Sequence, residues 1–220
     1  MPLVIAMDGP SGSGKSSASK GVARALGLRY LDTGAMYRAV TWWMLDKGVP
    51  VEDAAAVEAR AAEPVIASGT DPDAPAITVD GTDVSGPIRT RAVTNAVSAV
   101  SSVPAVRARM VALQREIIGS GGIVVEGRDI GTVVAPDAPV KVYLTASEEA
   151  RAARRAKDLA ADPGASVTVT RAEQARRDRL DSTRKASPLT RAGDAHEIDS
   201  TELSLAEVIE AVVRLAKEHE

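Results

Sequence analysis

Short apolar runs alternate along this chain with longer stretches in which apolar positions recur every three or four residues. Leu3 to Met7 and Ile123 to Val125 are of the first kind and read as buried strands, Leu28 to Leu31 and Val140 to Leu144 read as further strands, and His196 to Ile198 as a short last one. Ser17 to Leu26, with Ala18, Val22, Ala25 and Leu26 on one face, reads as a helix. So do Ala35 to Lys47, Glu52 to Ala62, Ile88 to Ser102, Pro104 to Ile118, Ser147 to Leu159 and Arg171 to Asp181. The last helix, Ser204 to Lys217, is amphipathic and is expected to turn Leu205, Val208, Ile209, Val212, Val213 and Ala216 inward. Alternating strands and helices predict an α/β fold with a parallel sheet and helices on both faces.

Pro64 to Pro87 breaks this rhythm with Gly69, Pro72, Pro75, Gly81 and Gly86 between short apolar pieces. Asp80-Gly81 is a hairpin signal, so the stretch reads as a small antiparallel insert outside the main sheet. Trp42 and Trp43 are adjacent on a helix and cannot share a face, which suggests a junction between parts for at least one, although core packing is the preferred reading for both.

The junction of the first strand and first helix carries the strongest chemical signal. Gly9-Pro10-Ser11-Gly12-Ser13-Gly14-Lys15-Ser16 fits a glycine, four free positions, then Gly-Lys-Ser, in the strand-to-helix frame that makes this pattern a phosphate loop. Successive N–H groups and the positive end of the helix dipole converge on an anion. Lys15 is suited to the outer phosphates and the Ser16 hydroxyl to a magnesium ion. A plain glycine turn with a surface lysine would not explain Lys-Ser opening the helix directly after the last glycine.

Composition narrows the chemistry. The 220 residues include no cysteine and only two histidines, which excludes disulfides and thiolate sites and disfavours histidine zinc sites. No apolar stretch approaches a membrane span and no leader pattern opens the chain, so a cytoplasmic protein without membrane partners is expected. A net charge of −3 and 2% aromatic residues argue against nucleic acid as a partner.

Two further stretches bear on function. Glu126-Gly127-Arg128-Asp129-Ile130-Gly131-Thr132 follows a buried strand, at the end where open parallel sheets bind ligands. Arg151 to Arg191 is rich in arginine and interleaved with Asp158, Asp162, Glu173, Asp178 and Asp181. Surface ion pairs account for many of these arginines, and RNA binding is a second reading. The reading preferred beside a phosphate loop is a lid that closes over phosphates and excludes water.

Taken together, these motifs resemble bacterial cytidylate kinases nearly end to end. The resemblance rests on the phosphate loop with Asp8 before it, Leu31-Asp32-Thr33-Gly34-Ala35-Met36-Tyr37-Arg38, and Asp83-Val84-Ser85-Gly86-Pro87-Ile88-Arg89. It continues in Gly127-Arg128-Asp129-Ile130-Gly131-Thr132-Val133-Val134, Pro136 to Lys141, Arg177-Asp178-Arg179 and Asp199-Ser200-Thr201. It implies a phosphate-loop kinase with one domain over residues 1–220, divided into a core (1–63, 103–146, 192–220), a monophosphate-binding insert (about 64–102) and an arginine-rich helical lid (about 147–191).

The activity implied is transfer of the γ-phosphoryl of ATP to CMP or dCMP with Mg2+, by a monomer. Carried over by position, Gly9 to Ser17 hold ATP phosphates, with Arg154 and Arg155 as lid cations. Thr33, Tyr37, Arg38 and Arg128 look like monophosphate-site residues, and Ser98, Arg107 and Asp129 like cytosine readers. Arg177, Asp181 and Arg184 look like ligands of ribose and phosphate. Lys15, Arg128, Asp129, Arg177 and Arg184 are the expected catalytic set, and Ser16 the metal ligand. The family often has serine where this chain has Thr33 and threonine where it has Ser17; both keep a hydroxyl. The rival readings are another small kinase acting on AMP or shikimate, a nucleotide-dependent switch, and an RNA-binding module. No guanine-reading Asn-Lys-x-Asp supports a GTP switch.

Overall fold

The computed structural model describes residues 2–158, 167–184 and 186–219, with the side chains of 155, 157, 158 and 167–170 left aside. Strands β1 (Val4–Asp8), β2 (Arg29–Asp32), β6 (Ile123–Glu126), β7 (Val140–Thr145) and β8 (His196–Asp199) form a parallel sheet in the order β2-β6-β1-β7-β8. The polar residues Asp8, Asp32, Glu126, Thr145 and Asp199 terminate these strands, so the carboxyl end of the sheet carries a row of oxygen acceptors.

Helices cover both faces. On one lie α1 (Lys15–Leu26) and α8 (Leu205–Lys217), packed on Ile5, Met7, Val124, Val142 and Leu144. Gly21 costs α1 some helix stability, but a Cβ there would collide with Ile209 of α8, so glycine lets the two helices close. The other face carries α2 (Thr33–Asp46), α3 (Ala54–Arg60), α4 (Arg91–Ser102) and α5 (Pro104–Ile118). Pro104 pushes Val103 into an extended conformation, and α4 and α5 meet there at 95°.

The antiparallel insert forms as expected, from β3 (Ile66–Ser68), β4 (Ile77–Val79) and β5 (Thr82–Asp83). Asp80 and Gly81 both have positive φ in its hairpin turn. Trp43 joins this insert to α2: its indole N–H donates to Asp80 Oδ2 at 2.9 Å and its ring lies under the Arg60 guanidinium.

Helix α6 (Glu148–Asp158) and helix α7 (Val167–Thr183) pack on each other. Several boundaries differ from the sequence reading. Helix α2 starts two residues early because the Asp32 side chain caps it through the Ala35 N–H. Helix α7 starts four residues early, within a β-branched run that argued against helix. A 3-10 turn, Pro87–Arg89, separates off the start of the expected Ile88 to Ser102 helix. Leu205 does not face inward: it is 49% exposed, at the first position of α8, while Val208, Val212 and Ala216 form the buried stripe.

Candidate active site

Helix α1 begins at Lys15 behind Gly14, and no side chain caps it. Its first-turn N–H groups therefore remain open to an anion. Lys15 is buried; its ammonium donates to Pro10 O at 2.6 Å and to Ser13 Oγ at 3.3 Å. Burial, and then the neighbouring Arg128, press its pKa well below that of an ordinary lysine. The Ser16 hydroxyl donates to Glu126 Oε2 at 3.0 Å, and the Tyr30 hydroxyl donates to the other oxygen of Glu126. Burial, and then nearby Asp32, push the Glu126 carboxyl up from the ordinary range.

A cavity of about 580 Å³ opens over this loop. Residues Ser11 to Ser17 line it, facing Glu126 and the arginines Arg38, Arg128, Arg154 and Arg177. Arg38 Nη1 donates to Ile88 O and Thr94 Oγ1, and Arg154 is held by the Ser200 carbonyl and hydroxyl. Leu203 and Leu205 close the mouth as exposed apolar side chains, which is where the outward-facing Leu205 has gone.

The segment after β6 returns toward β1. Thr33 Oγ1 donates to Glu126 O at 2.7 Å, and the Asp8 carboxylate accepts the N–H groups of Ile130 and Gly131, each at 2.8 Å. Arg128 donates to Gly9 O at 3.0 Å and to Asp181 at 3.1 Å. Behind it lies a buried network. Arg107 donates to Asp129 at 2.5 Å and stacks over the Tyr37 ring at 5.1 Å. Arg184 stands 3.9 Å from Asp129 and 3.8 Å from Asp181. Burial pushes the Tyr37 hydroxyl up to about 12, and burial followed by nearby Arg107 presses the Arg184 guanidinium down.

The sequence-predicted residues thus divide. Lys15, Ser16, Ser17, Arg38, Arg128, Arg154 and Arg177 meet at the cavity, whereas Thr33, Tyr37, Arg107, Asp129, Asp181 and Arg184 stand outside its lining. Asp129 and Arg107 pair with each other in the dry interior, while the buried Arg107 Nε finds no hydrogen-bond partner among the described residues. Ser98 is half-buried on α4 and outside the cavity lining, with its carbonyl accepting the Ser101 hydroxyl. The Arg155 side chain lies outside the described residues.

Sequence reading left several participants unassigned. Glu126 stood at the head of the charged stretch after the Ile123 to Val125 strand, at the ligand-binding end of the sheet, but no role was assigned to it. Arg151 and Asp178 stood within the arginine-rich stretch, with nothing in their spacing to pair them. Here Asp178 accepts the Ser11 N–H at 3.1 Å, Arg151 donates to Ser11 O at 2.9 Å, and the two side chains pair with each other. Helices α6 and α7 therefore hold one residue of the phosphate loop, Ser11, through both its N–H and its carbonyl. Gly12, with φ of +78°, belongs to this grip: a Cβ there would run into the Gln174 amide and Arg151.

The cytidylate kinase family model matches residues 5–218. The chain belongs to the cytidylate kinase family. It is 61% identical over 218 residues to a cytidylate kinase of Streptomyces coelicolor and 59% identical over the same length to that of Streptomyces avermitilis, in each case covering 98% of this chain and 93% of the relative. Among solved structures, a shikimate kinase from Acinetobacter baumannii in complex with shikimate superposes with a TM-score of 0.52 at 13% identity, covering 100% of this chain and 96% of that one. That likeness concerns the phosphate-loop fold alone.

Proposed function

We propose that this member of the cytidylate kinase family transfers the γ-phosphoryl of ATP to CMP or dCMP, with ATP phosphates on the loop Gly9 to Ser17 and the monophosphate at Arg38, Arg128 and Arg177. One observation carries the assignment of the two ends. A single cavity joins an uncapped phosphate loop to arginines from α2, the β6 return segment and α7. Phosphoryl transfer gathers many anionic oxygens into a small volume and is accelerated chiefly by positioned cations.

Lys15 supports the donor phosphates, and Arg154 reaches the same loop from α6. Arg128, at the end of β6, faces the loop across the cavity and neutralises the incoming phosphate. Asp129 accepts from the exocyclic amine of cytosine, with Ser98 and Arg107 beside it and Tyr37 packed under Arg107. That role requires the Arg107–Asp129 pair to open toward the base. Uracil presents a carbonyl in place of the amine, and two acceptors facing each other in a desolvated pocket are costly. Asp181 and Arg184 hold the ribose and phosphate side, and Thr33 shapes the same wall. Residues 64–102 serve as the monophosphate-binding insert and 147–191 as the lid.

The donor set at Ser16 fits magnesium: a hydroxyl beside the Glu126 carboxylate offers hard oxygens. No cluster of three or more potential ligands exists among the described residues, so phosphate oxygens and water would complete the shell. Bound there, the ion would neutralise charge shared between neighbouring phosphates. The deciding experiment is a coupled ADP-release assay with ATP across CMP, dCMP, UMP, AMP and shikimate. CMP or dCMP should give the highest kcat/KM; a higher value for AMP or shikimate would overturn the proposal.

A further inference from the structure

Asp8 ends β1 directly before the phosphate loop and is 4% exposed. Its two carboxylate oxygens each accept one backbone N–H, from Ile130 and from Gly131, at 2.8 Å. These residues open the π-helical turn Ile130–Val134, which its own flanking residue, Asp129, does not cap. Asp8 supplies that cap from a distant point in the chain. A second contact runs the opposite way, from the Arg128 guanidinium to Gly9 O at 3.0 Å. The Gly127 N–H also donates to Met7 O at 3.0 Å, so the end of β1 and the segment after β6 clasp each other at three points, with Arg128 and Asp129 lying between Gly127 and Ile130 in the clasped stretch.

We propose that Asp8 is a positioning residue for the monophosphate end of the site, fixing the backbone from which Arg128 and Asp129 reach their ligand. This rests on the reading of Arg128 and Asp129 given above. A carboxylate is the side chain the geometry asks for. Two converging N–H groups need two acceptors, whereas asparagine offers one and turns an N–H toward the other donor. The charged and titratable groups facing Asp8 are Lys15 from α1, Asp129 from the clasped segment, and Tyr143, its register partner on β7. Lys141 of β7 lies beside Gly131 but pairs with Asp194, and Glu126 of β6 is engaged by Ser16 and Tyr30. Burial, opposed by the two N–H bonds, lifts the Asp8 pKa to about 6. Protonation below that pH converts one acceptor into a donor and releases one side of the clasp.

The test is Asp8→Asn assayed with ATP and CMP from pH 5 to 8. KM for CMP should rise by about 10- to 100-fold, the effect of a buried N–H left unpaired, while KM for ATP stays within about threefold. The wild-type to variant ratio of kcat/KM for CMP should be largest above pH 7 and shrink below pH 6. Taking the ratio cancels the titration of the substrate phosphate, whose second pKa is also about 6. Equal increases in both KM values, or a flat ratio, would overturn the role. The unmodified protein decides independently of whether the variant folds. By NMR its Ile130 and Gly131 amide protons should titrate together near pH 6, and resonances indifferent to pH would exclude the clasp. Arg128→Ala separates the two claims. If it leaves CMP affinity intact, the reading of the site fails; if it weakens CMP binding and Asp8→Asn does not, only the positioning role falls.

Discussion

Lys15 is a buried cation that rests on a loop carbonyl and a serine hydroxyl, both weaker partners than a phosphate. Its function grows with the charge it meets. Lys15→Ala should lower kcat/KM at least about 100-fold, the scale of losing one preorganised donor to developing charge. A near-normal rate in a folded variant, measured in the coupled assay, would remove the loop from the mechanism. Asp129 and Arg128 adjoin in sequence but have different proposed tasks. Asp129→Ala should raise KM for CMP about 10- to 150-fold, the worth of a charge-assisted hydrogen bond, with little change for ATP. UMP never made that bond, so the ratio of kcat/KM for CMP over UMP should fall. Arg128→Ala should instead weaken both monophosphates alike, because phosphate is common to them. Equal losses of CMP and UMP in Asp129→Ala would move base reading to Ser98 and Arg107.

At the scale of elements, the α6–α7 pair holds both backbone groups of Ser11 and reaches α4 through Arg91 and Glu173. The exposed Arg91–Glu173 pair contributes little, about 0–1 kcal/mol. The less exposed Arg151–Asp178 pair, tied to the loop backbone, sets how α6 and α7 dock. Asp178→Asn keeps an acceptor but loses the charge opposite Arg151. It should raise KM for ATP about 10-fold, an effect within the range for hydrogen bonds to charged groups, and more than it raises KM for CMP. Hydrogen exchange offers a second readout. Amides between residues 147 and 188 should exchange more slowly when ATP and CMP analogues are bound together, and faster in Asp178→Asn than in the unmodified protein. Exchange that ignores both ligands and the substitution would show that this pair of helices does not act as a lid.

At the scale of the molecule, ATP and a monophosphate seated as proposed would bridge the core, the proposed insert and the α6–α7 pair. A ligand at 100 times its Kd adds about 2.7 kcal/mol to the folded state. In a chain of this size that corresponds to a rise in Tm of roughly 5–10 °C. CMP should produce this shift at concentrations where UMP, AMP and RNA produce little, as read by a dye-based thermal scan. An equal shift with RNA would favour the nucleic-acid reading of the arginine-rich stretch.

Much of this architecture was legible before any coordinates. The central strands β1, β6 and β7 are local apolar runs and helices such as α8 a local periodicity, so the α/β alternation follows from residues close together in sequence. The phosphate loop is equally local: backbone N–H groups freed by glycines, the Lys15 ammonium and the Ser16 hydroxyl all lie within eight positions. The hairpin at Asp80-Gly81 was legible because positive φ is a property of single residues. What needed the tertiary structure was every contact between charged groups far apart in the chain. Asp8 with Ile130 and Gly131, Asp178 with Ser11, and Arg107 with Asp129 are joined by strand order and helix packing, which spacing does not encode. Leu205 shows the converse: helical periodicity marked it apolar, but its position at the end of α8 put it at the mouth of the cavity rather than in the core. Local pattern determined the alternation of strands and helices, most of the buried stripe of α8 and which loop is the candidate phosphate site. The folding of the sheet decided which of the many carboxylates and guanidiniums meet, because the partner of a charge in a dry interior is set by proximity in space.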